Sequence, residues 1–276
     1  MEGKLSFVDL ITSGAAFGGS RRHCHPKMLP FVHEVKKSYC MINLNLTNDK
    51  ITEIAQIFQQ LRTENKKVLF VGTKLRIRKV LSDLVEPSEH YYVNYRWLGG
   101  LLTNFEVLSR RIETLQKVRQ LEEKKTIEAW SKREQMMFRK NKYRLERTLR
   151  GIAEMQKLPD CLVLIDPKTE LTALAEAEKL GIPVYALTST EINPDRFTNF
   201  IPLNDNSERA VKIVLENLFF HLVGQPPIEP GLNASVKVDV SSPVASTLEA
   251  APASETTPKI ASTNLFSKIK SPIIKK

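Results

Sequence analysis

The 276-residue chain contains only three cysteines, Cys24, Cys40 and Cys161, widely spaced and without a Cys-x-x-Cys pair. That excludes a disulfide framework and points to a reducing compartment. Long apolar runs are also missing. None reaches the roughly 18–20 residues of a membrane span, and the greasiest point, Leu218-Phe219-Phe220, is far too short. The opening Met1-Glu2-Gly3-Lys4-Leu5-Ser6-Phe7 has an acid at the second position and no apolar stretch, unlike a secretory signal. It also lacks the Arg- and Ser-rich, acid-poor character of a transit peptide. We therefore expect synthesis where the protein works, in a bacterial cytoplasm, a eukaryotic cytosol or an organelle that encodes it. Catalytic signatures are absent in turn: there is no Gly-x-Ser-x-Gly, His-Glu-x-x-His or Gly-x-Gly-x-x-Gly.

Three fragments come close to chemistry and stop short. Gly72-Thr73-Lys74 follows a strand, as in a phosphate loop, but the glycine five residues earlier is missing and position 75 is Leu. His23-Cys24-His25 offers zinc-ligand types, yet adjacent residues rarely converge on one tetrahedral ion, so we expect a basic loop there and no metal. Asp166 ends an apolar strand, where α/β enzymes place functional carboxylates, without a visible nucleophile–base partner. No cofactor is expected.

What the chain has is positive charge. Its net charge is +10 and its pI about 9.4, which favours polyanionic partners. Residues 105–157 hold 15 Lys or Arg against 8 Asp or Glu, so most of the excess sits on one segment, as in a nucleic-acid footprint. Arg96-Trp97-Leu98-Gly99-Gly100-Leu101-Leu102-Thr103-Asn104 precedes it directly. Two adjacent glycines leave the backbone bare for close approach, Thr103 and Asn104 are natural helix N-caps, and a purely structural loop has no need of an exposed Arg96-Trp97 pair.

Periodicity predicts an α/β domain over 1–224 and a Pro-, Ser- and Ala-rich tail over 225–276 that is too poor in apolar residues to order. Expected elements are a helix over Ser6–Ser13 with Phe7, Leu10 and Ile11 on one face, then a loop from Gly14 to Pro30. Short strands follow over Phe31–Glu34 and Tyr39–Leu44, with a helix over Thr47–Arg62. A buried strand over Lys67–Val71 leads to a basic helix over Lys74–Val85 and a strand over Tyr91–Val93. Further strands lie at Cys161–Ile165, Ile182–Leu187 and Phe200–Ile201, with helices from Thr169 to Leu180 and from Ser207 to Leu222. This β-α-β alternation implies a parallel sheet flanked by helices. It is interrupted by an antiparallel helical hairpin over about 105–157, turning near Lys124–Glu128. The hairpin seam is Leu108, Ile112, Leu115 and Val118 against Leu145, Leu149, Ile152 and Met155. An α/β enzyme or nucleotide-binding protein with a basic insertion is the alternative, and it would need the phosphate loop or acid/base pair that is missing. A peripheral membrane protein would need aromatics opposite the charge, and only Trp130 and Phe138 qualify.

Several segments, in order, resemble the second protein of the small ribosomal subunit in its bacterial and organellar form. They are Ser13–Gly18, Pro26-Lys27-Met28, Leu69–Lys74, Tyr92–Asn104, Leu158-Pro159-Asp160, Glu176-Ala177, Lys179–Val184 and Ile201–Asp205. The resemblance implies a flavodoxin-like fold with a protruding, coiled-coil-like hairpin. It also implies a structural, non-enzymatic role bound to small-subunit rRNA beside other ribosomal proteins, including protein one. Arg22, Pro26, Lys27, Arg96, Trp97, Thr103 and Asn104 become RNA-facing or loop-shaping positions. The basic candidates beside them are Arg21, Lys74, Arg110, Arg111, Arg139, Lys140, Lys142 and Arg144. Departures from the family pattern occur where it has His-Phe-Gly-His (here Ala16-Phe17-Gly18-Gly19), Trp-Asn (Cys24-His25) and Asp-Thr-Asn (Ser189-Thr190-Glu191). Such drift fits a copy encoded by a plastid or mitochondrion better than a free-living bacterium's, the bacterial cytoplasm being the alternative. No membrane partner is implied.

Overall fold

Runs of β-branched and leucine residues without polar interruption are suited to strands covered on both faces, and they build the centre of this molecule. The computed structural model describes residues 5–123 and 130–224. The expected hairpin turn and the tail from 225 lie outside those residues. Near the start, α1 (Phe7–Thr12) leads into a three-stranded antiparallel sheet of β1 (Phe17–Ser20), β2 (Val32–Val35) and β3 (Tyr39–Ile42), with β3 central. Then come α2 (Leu44–Thr63), β4 (Val68–Val71), α3 (Arg78–Val85), β5 (Tyr91–Val93), α4 (Phe105–Glu123) and α5 (Lys132–Leu149). The chain continues through β6 (Cys161–Ile165), α6 (Leu171–Leu180), β7 (Val184–Thr188), β8 (Asn199–Pro202) and α7 (Glu208–Val223).

Strands β4 to β8 pair in the order β5-β4-β6-β7-β8, every pairing parallel. Counted from β4, that is the 2-1-3-4-5 order of flavodoxin-like sheets. Successive side chains of a strand point to opposite faces, and the core divides accordingly. Val68, Phe70, Val163 and Ile165 face α1, α2, α3 and α7. Leu69, Val71, Leu162 and Leu164 face α6 and the base of the α4/α5 pair. Among the described residues, no helix is long and apolar enough to cross a membrane.

Helices α4 and α5 run antiparallel: Arg119 pairs with Glu146 and Glu122 with Lys142, so partners descend as one ascends. The seam is as thin as expected. Leu108, Ile112, Leu115 and Leu149 are buried, while Val118 and Leu145 are half-buried. Ile152 and Met155 are buried too but lie past the helix end. A Cβ on Gly151 would sit 2.2 Å from the Tyr92 carbonyl oxygen. Only glycine allows that approach, and there the hairpin rejoins the sheet.

Other boundaries differ for local reasons. Within the expected Gly14–Pro30 loop, β1 forms despite its two glycines. Helix α1 buries Leu10 but leaves Phe7 and Ile11 exposed. Helix α2 starts earlier than Thr47, because Asn43 caps it by accepting the Asn45 N–H. Helix α3 starts at Arg78, not Lys74, because residues 74–77 form a turn before it. Thr169 does not cap α6: its hydroxyl donates to Asp166, and Glu170 takes the N-cap position. Gly181, in the left-handed region, ends α6 as its sequence position implied.

Candidate nucleic-acid interface

The Arg96–Asn104 loop is wound around one carboxylate. Glu176, on α6, is buried and accepts from the Trp97 indole N–H at 3.0 Å, the Gly100 N–H at 2.8 Å, the Leu102 N–H at 3.0 Å and the Thr103 N–H at 3.2 Å. Burial pushes this carboxyl's pKa up, but the hydrogen bonds from Trp97 and the three backbone amides outweigh it and hold the pKa below the ordinary 4.5. Sequence reasoning noted Glu176 only within a family-like segment and gave it no role. Its signal was a carboxylate beside Ala173, Leu174 and Ala177, all buried on the face of α6 that meets the sheet.

The same geometry corrects the expectation of an exposed Arg96-Trp97 pair. Trp97 is only 7 % exposed and its polar end is spent on Glu176, so it shapes the loop from inside. Arg96 is exposed, with no ion pair among the described residues. Thr103 serves Glu176, not the helix. Asn104 holds the N-cap position, its carbonyl accepting the Leu108 N–H. The two glycines differ. Gly100 has a φ of 83°, a conformation the turn requires. Gly99 is exposed, and a Cβ there would meet nothing within 4 Å.

Beside the loop, Tyr95 carries two guanidiniums. Arg147 of α5 lies 3.8 Å from its ring centroid and Arg78 4.7 Å, a cation–π arrangement that ties the hairpin base to the domain. Arg78 is fixed further by donating to the Thr73 and Tyr95 carbonyls. Arg96, Arg78 and Arg147 thus form a basic region that no single sequence window contains. On the hairpin, Arg110, Arg111, Arg139, Lys140 and Arg144 are exposed. Arg110 pairs with Glu106 on its own helix. Lys142 is half-buried and pairs with Glu122 of α4 across the seam and with Glu146 on its own helix, so it holds the helices together.

Lys74 requires the second correction. Its ammonium lies 2.8 Å from Asp166, 3.5 Å from Asp205 and 2.9 Å from the Asn206 side-chain oxygen. Two buried carboxylates at the ends of β6 and β8 need a counter-ion, and Lys74 supplies it. Asp166 has a φ of 58°, rare for a non-glycine residue, and Lys74 and Thr169 hold it there. These groups line a cavity of about 280 Å³ with Lys168 and Glu191. It falls just below the usual ligand-pocket volumes of roughly 300–1,000 Å³, and both of its lysines are engaged by carboxylates. The nucleotide-site alternative therefore gains nothing from it.

Burial, and then the neighbouring Asp166 charge, raise Asp205 from 3.8 to about 6, with Lys74 opposing. An acid whose pKa is raised on folding contributes stability below its unfolded value and loses it as pH rises through the folded one. Asp205→Asn should therefore melt higher than the parent at pH 7.5, by roughly 2–6 °C. The gap should close as pH falls towards 4. A gap that is constant from pH 4 to 8 in a calorimetric series would refute this reading.

Arg21, Arg22 and Lys27 are exposed, Lys27 pairing with Asp195. His25 caps the turn that carries Lys27 by accepting its N–H at 3.2 Å. Among the described residues no group of three or more His, Cys, Asp or Glu is placed to hold a metal. The departures noted in sequence lie together. A Cβ on Gly19 would fall 2.5 Å from the Glu191 side chain, and the Gly19 N–H donates to the Thr190 hydroxyl. One change thus occupies the space the other vacates. The family model described as Ribosomal protein S2 matches residues 10–220.

Proposed function

Because the chain belongs to the ribosomal protein S2 family, we propose that it is a structural, non-enzymatic constituent of the small ribosomal subunit that holds rRNA through the Arg96–Asn104 loop and the basic hairpin. Membership makes it a small-subunit ribosomal protein, with a place on the ribosome and in translation. The finer reading names small-subunit rRNA as partner, with neighbouring small-subunit proteins, including protein one, alongside. The candidate contacts are Arg21, Arg22, Lys27, Arg96, Thr103, Asn104, Arg110, Arg111, Arg139, Lys140 and Arg144, with Trp97 acting by shaping the loop. The sequence drift around Gly19, Cys24 and Glu191 supports an organelle-encoded copy.

The observation that carries the reading is Gly99. Nothing in the fold needs a glycine at an exposed position where a methyl would meet only solvent. A surface pressed against the backbone does need one. RNA outside regular helices is recognised by such shape matching, together with fixed cations. Gly99→Ala should leave the melting temperature unchanged and weaken binding to small-subunit rRNA about tenfold, worth roughly 1.4 kcal/mol. Binding to random RNA of equal length should change little. Arg96→Ala should show the same selectivity. Equal losses on both RNAs would mean that the loop is only a diffuse cation, and no loss on either would remove it from the interface.

A further inference from the structure

One departure from the family pattern, Cys24, lies near a second thiol, Cys40. Ser20 of β1 pairs with Tyr39 of β3, and the Arg21 N–H donates to the Ser38 carbonyl at 3.1 Å. The chain then turns through Arg21–His23, and the His25 N–H is tied to the Thr190 carbonyl at 2.8 Å. The Gly19 N–H donates to the Thr190 hydroxyl at 3.1 Å, and a Cβ on Gly18 would meet both Thr190 and the Cys40 carbonyl, so Cys24, between these anchors, is held beside the Cys40 stretch of β3. Cys40 sits there on the inner face of the strand, 1 % exposed, while Cys24 is half-exposed. The Cys24 thiol donates to the His25 carbonyl at 3.8 Å and neighbours the Cys40 thiol, and the Arg21 guanidinium lies close enough to favour the Cys40 thiolate.

We propose that Cys24 and Cys40 are a closable dithiol, a site of thiol–disulfide exchange with small disulfides such as glutathione disulfide. The accessible Cys24 thiolate attacks one sulfur of glutathione disulfide, making a mixed disulfide and releasing one glutathione thiolate, which takes up a proton. Cys40 then loses its proton to solvent and displaces the second glutathione from the Cys24 sulfur. Two protein thiols are oxidised by two electrons, and one glutathione disulfide becomes two glutathiones. Burial first, and then the Cys24 thiol, push Cys40 up to about 11. Closure is therefore slower than the first exchange, although a thiolate of high pKa is also the stronger nucleophile. Cys161, buried at the start of β6 and pushed up to about 12, takes no part. Closure would pin the loop carrying Arg21, Arg22 and Lys27 to β3. The bond itself does not depend on the RNA reading.

The test incubates the full native chain with glutathione disulfide at pH 8, blocks remaining thiols, and maps peptides by mass spectrometry. The expected product is an intramolecular Cys24–Cys40 bond with Cys161 free. It should melt roughly 5–10 °C higher than the reduced chain, because the bond constrains the unfolded state. Reduction should reverse the shift, and Cys24→Ser should abolish it. A stable glutathione adduct on Cys24 with Cys40 reduced would overturn the proposal. So would a bond to Cys161, or an equal shift in Cys24→Ser.

Discussion

Glu176→Gln should cost about 2–4 kcal/mol of stability, or roughly 5–15 °C in melting temperature for a domain of this size. The carboxylate accepts from four N–H groups divided between its two oxygens. An amide keeps one acceptor and turns an NH2 group towards the others, so buried donors are left facing a donor, and that desolvation cost is not recovered. The shape barely changes, so the loss measures hydrogen bonding and charge, not packing. A pH signature separates this effect from a general one. The Glu176 pKa lies below 4.5 in the folded chain. Its contribution is therefore fully present above that value and lost as pH falls below it. The gap between parent and variant should hold from pH 8 to 5 and shrink in more acidic solution. A variant that melts with the parent at pH 7 would show that the loop does not depend on this carboxylate.

Replacing Arg139, Lys140 and Arg144 together by Gln should weaken rRNA binding about a hundredfold at 0.1 M salt. Each phosphate contact adds roughly 0.7–0.9 to the log–log salt slope, so losing three should flatten it by about 2–3. Lys142 is left out because it holds α5 to α4 through Glu122. A variant including it would mix hairpin opening with lost contact. The three chosen side chains are exposed and enter no ion pair among the described residues, so the melting temperature should stay within a degree or two. An unchanged slope in filter-binding titrations would mean that the hairpin charge is a solvated face.

Legibility from sequence followed the range of the interactions involved. Cys161–Ile165 and Val68–Val71 were legible because a strand covered on both faces must be apolar throughout, whatever surrounds it. The hairpin was legible because Leu108, Ile112 and Leu115 in its first half, and Leu145 and Leu149 in its second, repeat at helical spacing. Strand β1 was hidden, because Gly18-Gly19 reads as loop. Those glycines answer to β3 and to distant residues: a Cβ on Gly18 would lie 2.9 Å from the Cys40 carbonyl oxygen, and one on Gly19 would strike Glu191. Trp97 and Lys74 were misread for a related reason. An indole beside an arginine and a lysine at a strand end both look like ligand-facing groups until their partners are known. Those partners, Glu176, Asp166 and Asp205, lie about 80 to 130 residues further along the chain. Pattern within a window reveals what a segment prefers, but not which distant carboxylate neutralises it.

The claim that this chain works as an rRNA-bound protein of the small subunit is tested most directly by sedimentation of a lysate from its own source through a sucrose gradient. With the chain followed by antibody, it should run with the small-subunit peak at low salt. It should move to the light fractions when the gradient contains about 1 M salt, since contacts made through phosphate are released there. A chain found only in the light fractions at low salt, with the small-subunit peak intact and free of it, would contradict the account.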